Sequence, residues 1–229
     1  MRLHIFGTCG GSEPMPGRHH VSFAVEHRDR LYWFDAGESC SYTAHLMGVD
    51  LMRIRAVFIS HTHMDHVGGL GNLFWTIRKL DNMHHALRHR RIDLWIPEID
   101  VWEHLLGVLR HTEGNFMSDF VIEAQEYGDG VLLEEEGLRV TALHNTHLPV
   151  RADGAWRSFG FAIEAEGKKV VFSGDTGGVG ELLPLLEDCD LLLMETGHHL
   201  PVEVVRELRE IDRLPGLLAE HRPDIVVIE

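Results

Sequence analysis

Short apolar runs alternate along the chain with stretches whose apolar residues have helical spacing. The first part predicts short strands at residues 2–6, 21–25 and 31–35, followed by a helix near Ser41–Met47. Residues 54–60 (IRAVFIS) are almost continuously apolar, which is typical of a strand covered on both faces. The pattern therefore predicts a sheet with a buried central strand.

The next segments are less regular. A helix is predicted over residues 67–80, because the leucines, Phe74 and Ile77 of this segment fall on one side of a helix. The secondary structure of residues 81–127 is the hardest to predict, although this segment includes the strand-like RIDLWI and the amphipathic DVWEHLLGVLRH. The glycines at the start of the predicted helix weaken it in isolation and suit a backbone packed close to a neighbour.

After Gly128 a second β-rich series begins with GVLLEE, GLRVTALH, SFGFAIEAEG and KKVVFSGD, and residues 166–169 (EGKK) read as a hairpin turn. The remaining elements expected are a helix over 179–186, a strand over 190–195, a helix from Val202 and a strand over 224–229. The order of strands followed by helices occurs twice along the chain. This repetition suggests two similar halves whose sheets pack together with helices outside. No linker divides the chain, so we expect one domain over residues 1–229.

Candidate chemistry concentrates in residues 60–69 (SHTHMDHVGG). His61 and His63 follow the buried strand, and residues two apart in an extended segment point the same way, so both rings can reach one ion. Asp65 and His66 fall on the next turn and can hold a second ion. Imidazole and carboxylate ligands without thiolate suit zinc, with manganese or iron as alternatives.

Two later places offer further ligands. ALHNTH ends a strand with His144 and His147, and FSGDTGG places Asp175 at the end of another buried strand. A carboxylate can bridge two cations, so Asp175 is the natural shared ligand. Alone, Asp175 would be read as a helix cap or turn residue; beside the first motif, the metal interpretation is favoured.

HTHMDH, a later histidine and SGDT, in this order, resemble the metallo-β-lactamase superfamily. GTCGGSEPMPGRHHVSF, FDAGES and IRAVFISHTHMDHVGGL are closer still to its ribonuclease Z-like branch, while the resemblance is thin over residues 81–127. It implies an αββα sandwich of two mixed β-sheets with outer helices. It also implies two divalent ions with the ligands divided as follows: His61, His63 and His147 on one ion, Asp65 and His66 on the other, and Asp175 between them. The resemblance favours His147 over His144.

The sequence departs from the branch in two ways. The family supplies a last histidine after a final strand, whereas this chain stops at Glu229 and offers only His221 as a weaker substitute, so we expect an incomplete C terminus. The transfer-RNA enzymes of the branch carry a long inserted arm, and no basic Gly/Pro-rich insertion is found here. This favours a smaller phosphodiester, as in the cyclic-phosphate phosphodiesterase of the superfamily.

The resulting hypothesis is a metal-dependent hydrolase, a phosphodiesterase that uses a metal-bound hydroxide, in which Asp65 is both ligand and catalytic residue. By resemblance, Glu195 and His199, which matches better than His198, form the pair that donates a proton to the leaving group; the alternative is a buried polar contact that caps the next helix. Arg18, in the loop PGRHH, can contact a phosphate or be a solvated loop residue. The alternatives are a ribonuclease Z-like tRNA 3′ endonuclease, a lactone, β-lactam or thioester hydrolase, and a non-catalytic metal-binding protein.

The amino-acid composition limits which partners and which cellular location we expect for the protein. The formal net charge of −15 argues against tight generic binding to long nucleic acids or anionic membranes, so we expect a small-molecule or short nucleotide phosphodiester as substrate and neither a long nucleic acid nor a membrane as partner. The three cysteines, Cys9, Cys40 and Cys189, are too sparse for a disulfide framework, which favours the cytoplasm. The oligomeric state stays open, with a homodimer as one option.

Overall fold

The computed structural model describes residues 1–11 and 14–197, together with the backbone of 224–228. Within it the chain forms two compact units, Met1–Tyr127 and Gly128–Glu229. The expectation of a single domain stays a prediction.

The first unit contains one six-stranded mixed sheet in the order β1-β2-β3-β4-β5-β6. The first three strands pair antiparallel, and the strands from β3 to β6 pair parallel. The strands are β1 (Arg2–Gly7), β2 (Ser22–His27), β3 (Arg30–Phe34), β4 (Ile54–Phe58), β5 (Arg91–Trp95) and β6 (Val121–Gln125). The parallel pairing brings the carboxyl ends of β3, β4 and β5 to the same edge of the sheet.

The helices of the first unit pack on an apolar core. They are α1 (Cys40–Leu46), α2 (Met64–Val67), α3 (Leu70–His84) and α4 (Ile99–Thr112), with short 3₁₀ turns at Leu51–Arg53 and Gly114–Phe116. The expected apolar side of α3 is confirmed, because Leu70, Leu73, Phe74 and Ile77 are fully buried. Strand β4 is also buried along most of its length, as its apolar run predicted.

The single helix predicted over 67–80 is wrong at its start. The chain instead makes the one-turn helix α2, passes through Gly68 and Gly69, and only then enters α3. The Gly69 N–H donates to the carbonyl of Ala36 over 2.7 Å, and a Cβ at position 69 would lie 2.1 Å from the carbonyl oxygen of Gly37. This close approach to the loop after β3 is possible only for glycine.

The second unit contains the other six-stranded mixed sheet, in the order β12-β11-β10-β9-β8-β7. Its strands are β7 (Gly130–Glu135), β8 (Leu138–His144), β9 (Phe159–Ala165), β10 (Lys168–Phe172), β11 (Leu191–Glu195) and β12 (Asp224–Ile228). Strands β7 to β10 are antiparallel neighbours, whereas β10, β11 and β12 are parallel. The parallel strands bring the carboxyl ends of β10 and β11 to one edge of this sheet.

The sequence-based elements of the second unit are largely confirmed. The hairpin between β9 and β10 turns at Glu166 and Gly167, which both have positive φ. The helix expected over 179–186 is a 3₁₀ turn (Val179–Leu182) followed by the short α5 (Leu183–Leu186), which has a proline in its first turn. The helix expected from Val202 lies outside the described residues.

Two further observations bear on the sequence-based expectations. Cys9, Cys40 and Cys189 are buried and form no disulfide. Among the residues that the structure describes, no helix combines the length and apolar character that crossing a bilayer requires.

Candidate metal centre

The first group of candidate ligands follows directly after β4 in the first unit. The ring centroids of His61 and His63 are 4.7 Å apart, and one ligand atom of each lies within 4.8 Å of the other. His61 is fully buried, whereas His63 is exposed. The two rings therefore lie together, as their spacing after a buried strand suggests.

The one-turn helix α2 brings Asp65 and His66 to the same place. The His66 ring centroid is 3.9 Å from that of His61, and Nε2 of His66 is 3.3 Å from Oδ2 of Asp65. Burial raises the pKa of the Asp65 carboxyl, but the hydrogen bond with His66 and its charge outweigh burial and hold the pKa at about 2. The carboxyl is therefore ionised, as a metal ligand must be.

An unpredicted residue, Asp35, orients this group from the end of β3. Its carboxylate accepts hydrogen bonds from the backbone N–H of Ser60 and the Ser60 hydroxyl, each at 2.7 Å, and it lies 2.6 Å from Nδ1 of His66. Asp35 is fully buried and has a φ of 51°, which is unfavourable for a residue with a side chain. A carboxylate on the second nitrogen of a ligand histidine fixes its ring and tautomer.

Asp35 is the aspartate of FDAGES, one of the segments that resemble the ribonuclease Z-like branch, so the sequence carried a signal for this residue. We predicted no role for it. What the sequence did not show is the parallel pairing of β3 with β4, in which Phe34 lies opposite Phe58. That register places the residues after both strands side by side.

The loop after β1 passes closely over Asp65. A Cβ at Gly11 would lie 3.1 Å from Oδ2 of Asp65, and a Cβ at Gly37 would lie 2.7 Å from the Asp65 carbonyl oxygen. Glycine at position 11 lets the loop after β1 form a tight cradle against the Asp65 carboxylate, and glycine at position 37 lets the loop after β3 approach the Asp65 backbone carbonyl.

The second unit carries the other candidate ligands, on the loops after β8 and β10. Nε2 of His147 lies 3.7 Å from Oδ2 of Asp175. Asn145 joins their two loops, because its Oδ1 accepts from the His147 N–H at 3.1 Å and its Nδ2 donates to the Asp175 carbonyl at 2.8 Å. These contacts bring His147 and Asp175 together.

His144 is engaged elsewhere. Its Nδ1 lies 2.6 Å from Oδ2 of Asp129, and its ring stacks on Trp156 with a centroid distance of 4.0 Å. These contacts favour His147 over His144 as the ligand.

The remaining candidate residues of the site are Glu195, His199, His221 and Arg18. Glu195, at the end of β11, is 7% exposed, and its carboxylate accepts from the Thr176 N–H at 3.1 Å, next to Asp175. Its proposed partner His199 lies outside the described residues, as does His221. Arg18 is exposed in the loop between β1 and β2, and its phosphate contact stays a prediction.

The donor set fits a divalent metal. The first unit offers three imidazoles and a carboxylate, and the second offers an imidazole and a carboxylate, all of them ligand types for zinc, manganese or iron. The two thiols whose pKa is shifted do not compete: burial raises the pKa of Cys40 to about 12 and also raises that of Cys189.

Solved structures with the same architecture define the class. The short form of human tRNase Z (ELAC1) has a TM-score of 0.72 and 20% identity, with coverage of 99% of this chain and 91% of that chain. The metallo-β-lactamase fold protein YhfI from Bacillus subtilis has a TM-score of 0.62 and 18% identity, with coverage of 84% and 70%. With the two mixed sheets, these likenesses confirm the predicted metallo-β-lactamase sandwich.

Sequence comparisons lead to the branch and the family. Ribonuclease Z of Methanothermobacter thermautotrophicus is 28% identical over 147 residues, which are 64% of this chain and 45% of that protein. The resemblance to the ribonuclease Z-like branch is thereby confirmed, although the chain spans only about half the length of this relative. The model of the family described as Anti-Pycsar protein Apyc1 matches residues 1–221, and the chain belongs to that family.

One expectation about partners is wrong. The acidic net charge and the missing arm led us to exclude a long nucleic acid, yet the relative is a ribonuclease and the similar human structure is a tRNase. Net charge is a property of the whole chain, whereas phosphate binding depends on the local field around bound cations. The charge of −15 therefore gives no ground for that exclusion.

Proposed function

We propose that the chain is a metal-dependent hydrolase of phosphodiesters, acting on a small or nucleotide-like substrate. The observation that carries the proposal is the cluster of His61, His63, Asp65 and His66 at the carboxyl end of a buried strand, with His66 oriented by Asp35. The relationship to ribonuclease Z adds the reaction type, because a ribonuclease cleaves phosphodiester bonds. Three cysteines without a disulfide suit the cytoplasm as its location.

We assign two divalent ions to the ligands in the pattern that the family resemblance implies. In that pattern His61, His63 and His147 would hold one ion, zinc or alternatively manganese or iron. Asp65 and His66 would hold the other, and Asp175 would be the ligand shared by both. The contact of His147 with Asp175 and the burial of Asp65 and His66 support this division.

The bound ions would supply Lewis acidity at the phosphoryl oxygen and an activated water as nucleophile. The protein's own groups have defined tasks in this proposal. The Asp65 carboxylate, ionised and held by His66 and the Gly11 cradle, orients the attacking water. Arg18 contacts the substrate phosphate from the loop between β1 and β2.

The leaving group requires a proton. We assign this proton to His199, with Glu195 as the carboxylate that keeps the imidazole protonated near neutral pH. The position of Glu195 supports the assignment, because its carboxylate is buried at the end of β11 and contacts the residue after Asp175.

A second candidate is endonucleolytic cleavage of RNA at the 3′ side of tRNA. It is favoured by the ribonuclease Z relative and by the similarity to human tRNase Z. Both candidates share the metal centre and differ in how the substrate is held.

One experiment tests the proposal and separates the candidates. The purified protein is analysed for bound metal, and turnover is measured on bis(p-nitrophenyl) phosphate, on 3′,5′-cyclic mononucleotides and on a precursor tRNA. We expect turnover of the small phosphodiesters, lost with the metal in His61→Ala and His63→Ala. Cleavage of only the precursor tRNA would favour the second candidate. Bound metal without turnover of any phosphodiester would instead indicate a lactone or thioester hydrolase or a non-catalytic protein, and would overturn the proposal.

A further inference from the structure

Each unit contains one Thr-His dipeptide in its candidate metal-binding loop, Thr62-His63 in the first and Thr146-His147 in the second. In both, the threonine hydroxyl donates a hydrogen bond to a glutamate that is not itself a candidate ligand. Thr62 donates to Glu98, and Thr146 donates to Glu181. The same local device thus occurs twice, in two units with different sequences.

The two glutamates occupy comparable places. Glu98 follows β5 and is the residue directly before α4. Glu181 lies in the 3₁₀ turn after β10, Val179–Leu182. Each glutamate therefore belongs to the segment that follows a strand and begins a helical element. Such a position holds the carboxylate more firmly than a long loop would.

In the second unit the contact is more extensive. The Glu181 carboxylate accepts from the backbone N–H of Thr146 at 3.1 Å and from the hydroxyl of Thr176 at 2.9 Å, in addition to the Thr146 hydroxyl. Thr146 precedes His147, and Thr176 follows Asp175. One side chain therefore joins the two loops that carry the candidate ligands of this unit.

We propose that Glu98 and Glu181 are positioning residues for the metal centre, Glu98 for His63 and Glu181 for His147 and Asp175. This inference rests on the proposed function. Hydrogen bonds from a hydroxyl to a carboxylate are about twice as strong as those between neutral partners. By fixing the threonine, each glutamate fixes the backbone from which the next histidine projects.

The threonine is well suited to this task. Thr62 lies between the candidate ligands His61 and His63, so its hydrogen bond to Glu98 restrains the peptide that carries both rings. Groups that orient ligands in this indirect way typically change metal affinity or activity about 10–100-fold when they are removed.

The test measures zinc affinity by competition with a chromophoric chelator, together with the thermal unfolding of the metal-free protein. We expect Glu98→Ala and Glu181→Ala to weaken zinc binding about 10–100-fold. Glu98→Gln and Glu181→Gln, which keep an acceptor oxygen without the charge, should lose less. Glu103→Ala in α4 and Glu187→Ala after α5 are matched controls, because both are exposed glutamates outside the proposed site.

Substitutions of the two threonines test whether the hydroxyl group, and not the shape of the side chain, is what the site requires. Thr62→Ser keeps the hydroxyl and should bind zinc as the unaltered protein does, whereas Thr62→Val keeps the shape and should lose as much affinity as Glu98→Ala. Thr146→Ser and Thr146→Val should repeat this difference for Glu181.

Three outcomes would contradict the inference in different ways. Unchanged zinc affinity in both Glu→Ala variants, with weakened binding in His61→Ala and Asp175→Ala, would leave the metal centre in place and refute the positioning role. Unchanged binding in His61→Ala and Asp175→Ala as well would refute the metal centre, and the positioning role with it. A fall in unfolding temperature without a change in zinc affinity would assign the glutamates to stability alone.

Discussion

Oδ2 of Asp35 lies 2.6 Å from Nδ1 of His66, and both side chains are buried. The carboxylate also accepts two hydrogen bonds from Ser60, the residue before His61. One side chain after β3 thus orients the loop that follows β4. An acceptor at Nδ1 places the ring proton there, so that Nε2 is the nitrogen suited to a metal.

Asp35→Asn should weaken metal binding about 10–100-fold. An amide nitrogen facing His66 would donate to Nδ1 and move the ring proton to Nε2, the nitrogen proposed as ligand. Chelator competition measures the effect. Asp93→Asn is the control, because Asp93 is equally buried and bonds Arg55 and Arg91 instead. If both variants lost metal equally, general destabilisation of the unit would explain the result better than the tautomer of His66.

Gly11→Ala should reduce metal affinity without unfolding the protein. The new methyl group would lie 3.1 Å from Oδ2 of Asp65, closer than ordinary contact, and the carboxylate would have to move. Gly71→Ala in α3 is the control, since a Cβ there meets nothing within 4 Å. The control should be neutral or more stable by about 0.5–1 kcal/mol. Metal titration and thermal unfolding of both variants check this, and equal metal affinity in the two would show that the cradle does not constrain Asp65.

Asp175→Ala should lower the metal content and abolish phosphodiester hydrolysis. It removes the proposed bridging carboxylate and leaves two cations facing each other without the negative charge between them. Metal analysis and turnover of bis(p-nitrophenyl) phosphate measure both effects. Two metals per chain with normal turnover would show that Asp175 is only a turn residue held by Asn145.

His199→Ala should slow substrates with alkyl leaving groups by roughly 10²–10⁴-fold, the usual contribution of acid catalysis. Nitrophenyl esters should be affected much less, because nitrophenolate leaves without a proton. The comparison requires kcat/KM for both substrate types and an unchanged metal content. Equal losses on both types would mean that His199 binds metal or substrate instead of donating a proton.

Glu26→Gln should destabilise the first unit at neutral pH by about 1–2 kcal/mol, because Glu26 accepts from His4 and Arg53 on a partly buried surface. Burial raises the pKa of Glu26, but these hydrogen bonds and charges outweigh it, so the pKa lies below its ordinary value of 4.5. The stabilisation is therefore complete above that value and is lost as the pH falls below it through the folded-state pKa.

Denaturant unfolding at pH 7 and pH 3 measures the difference between Glu26→Gln and the unaltered protein, which should shrink at the lower pH. Glu134→Gln is the control, since the Glu134–Arg139 pair is solvent-exposed and should contribute little to stability at either pH. A difference that stays constant between the two pH values would refute the ionic origin of the effect.

The sequence predicted those features that depend on local patterns. The apolar run of residues 54–60 gave β4, and the helical spacing after Gly69 gave the buried side of α3. The cluster at His61–His66 was recognisable because its four candidate ligands lie within six residues, directly after a buried strand. Nothing beyond neighbouring residues is needed for these predictions.

Other features depend on residues that are distant in the sequence. The break between α2 and α3 follows from the approach of Gly69 to Ala36, and the role of Asp35 follows from contacts with Ser60 and His66. The choice between His144 and His147 depends on Asp129 and Trp156, neither of which carries a local signal. Such contacts arise only once the strands have paired in register.

The two backbone bonds of Ala36 have a consequence for metal exchange. Its N–H donates to the carbonyl of His66, and its carbonyl accepts from the N–H of Gly69, both over 2.7 Å. These backbone bonds hold the loop of Asp65 and His66 in shape, in addition to the side-chain contacts of Asp35. An ion that binds at Asp65 and His66 would meet a pre-organised loop, so binding would cost little conformational entropy. Release of the ion would leave the loop folded. Among chemically similar metal ions, the one bound at this site would then depend on how much of each metal the cell supplies, as much as on the selectivity of the ligands.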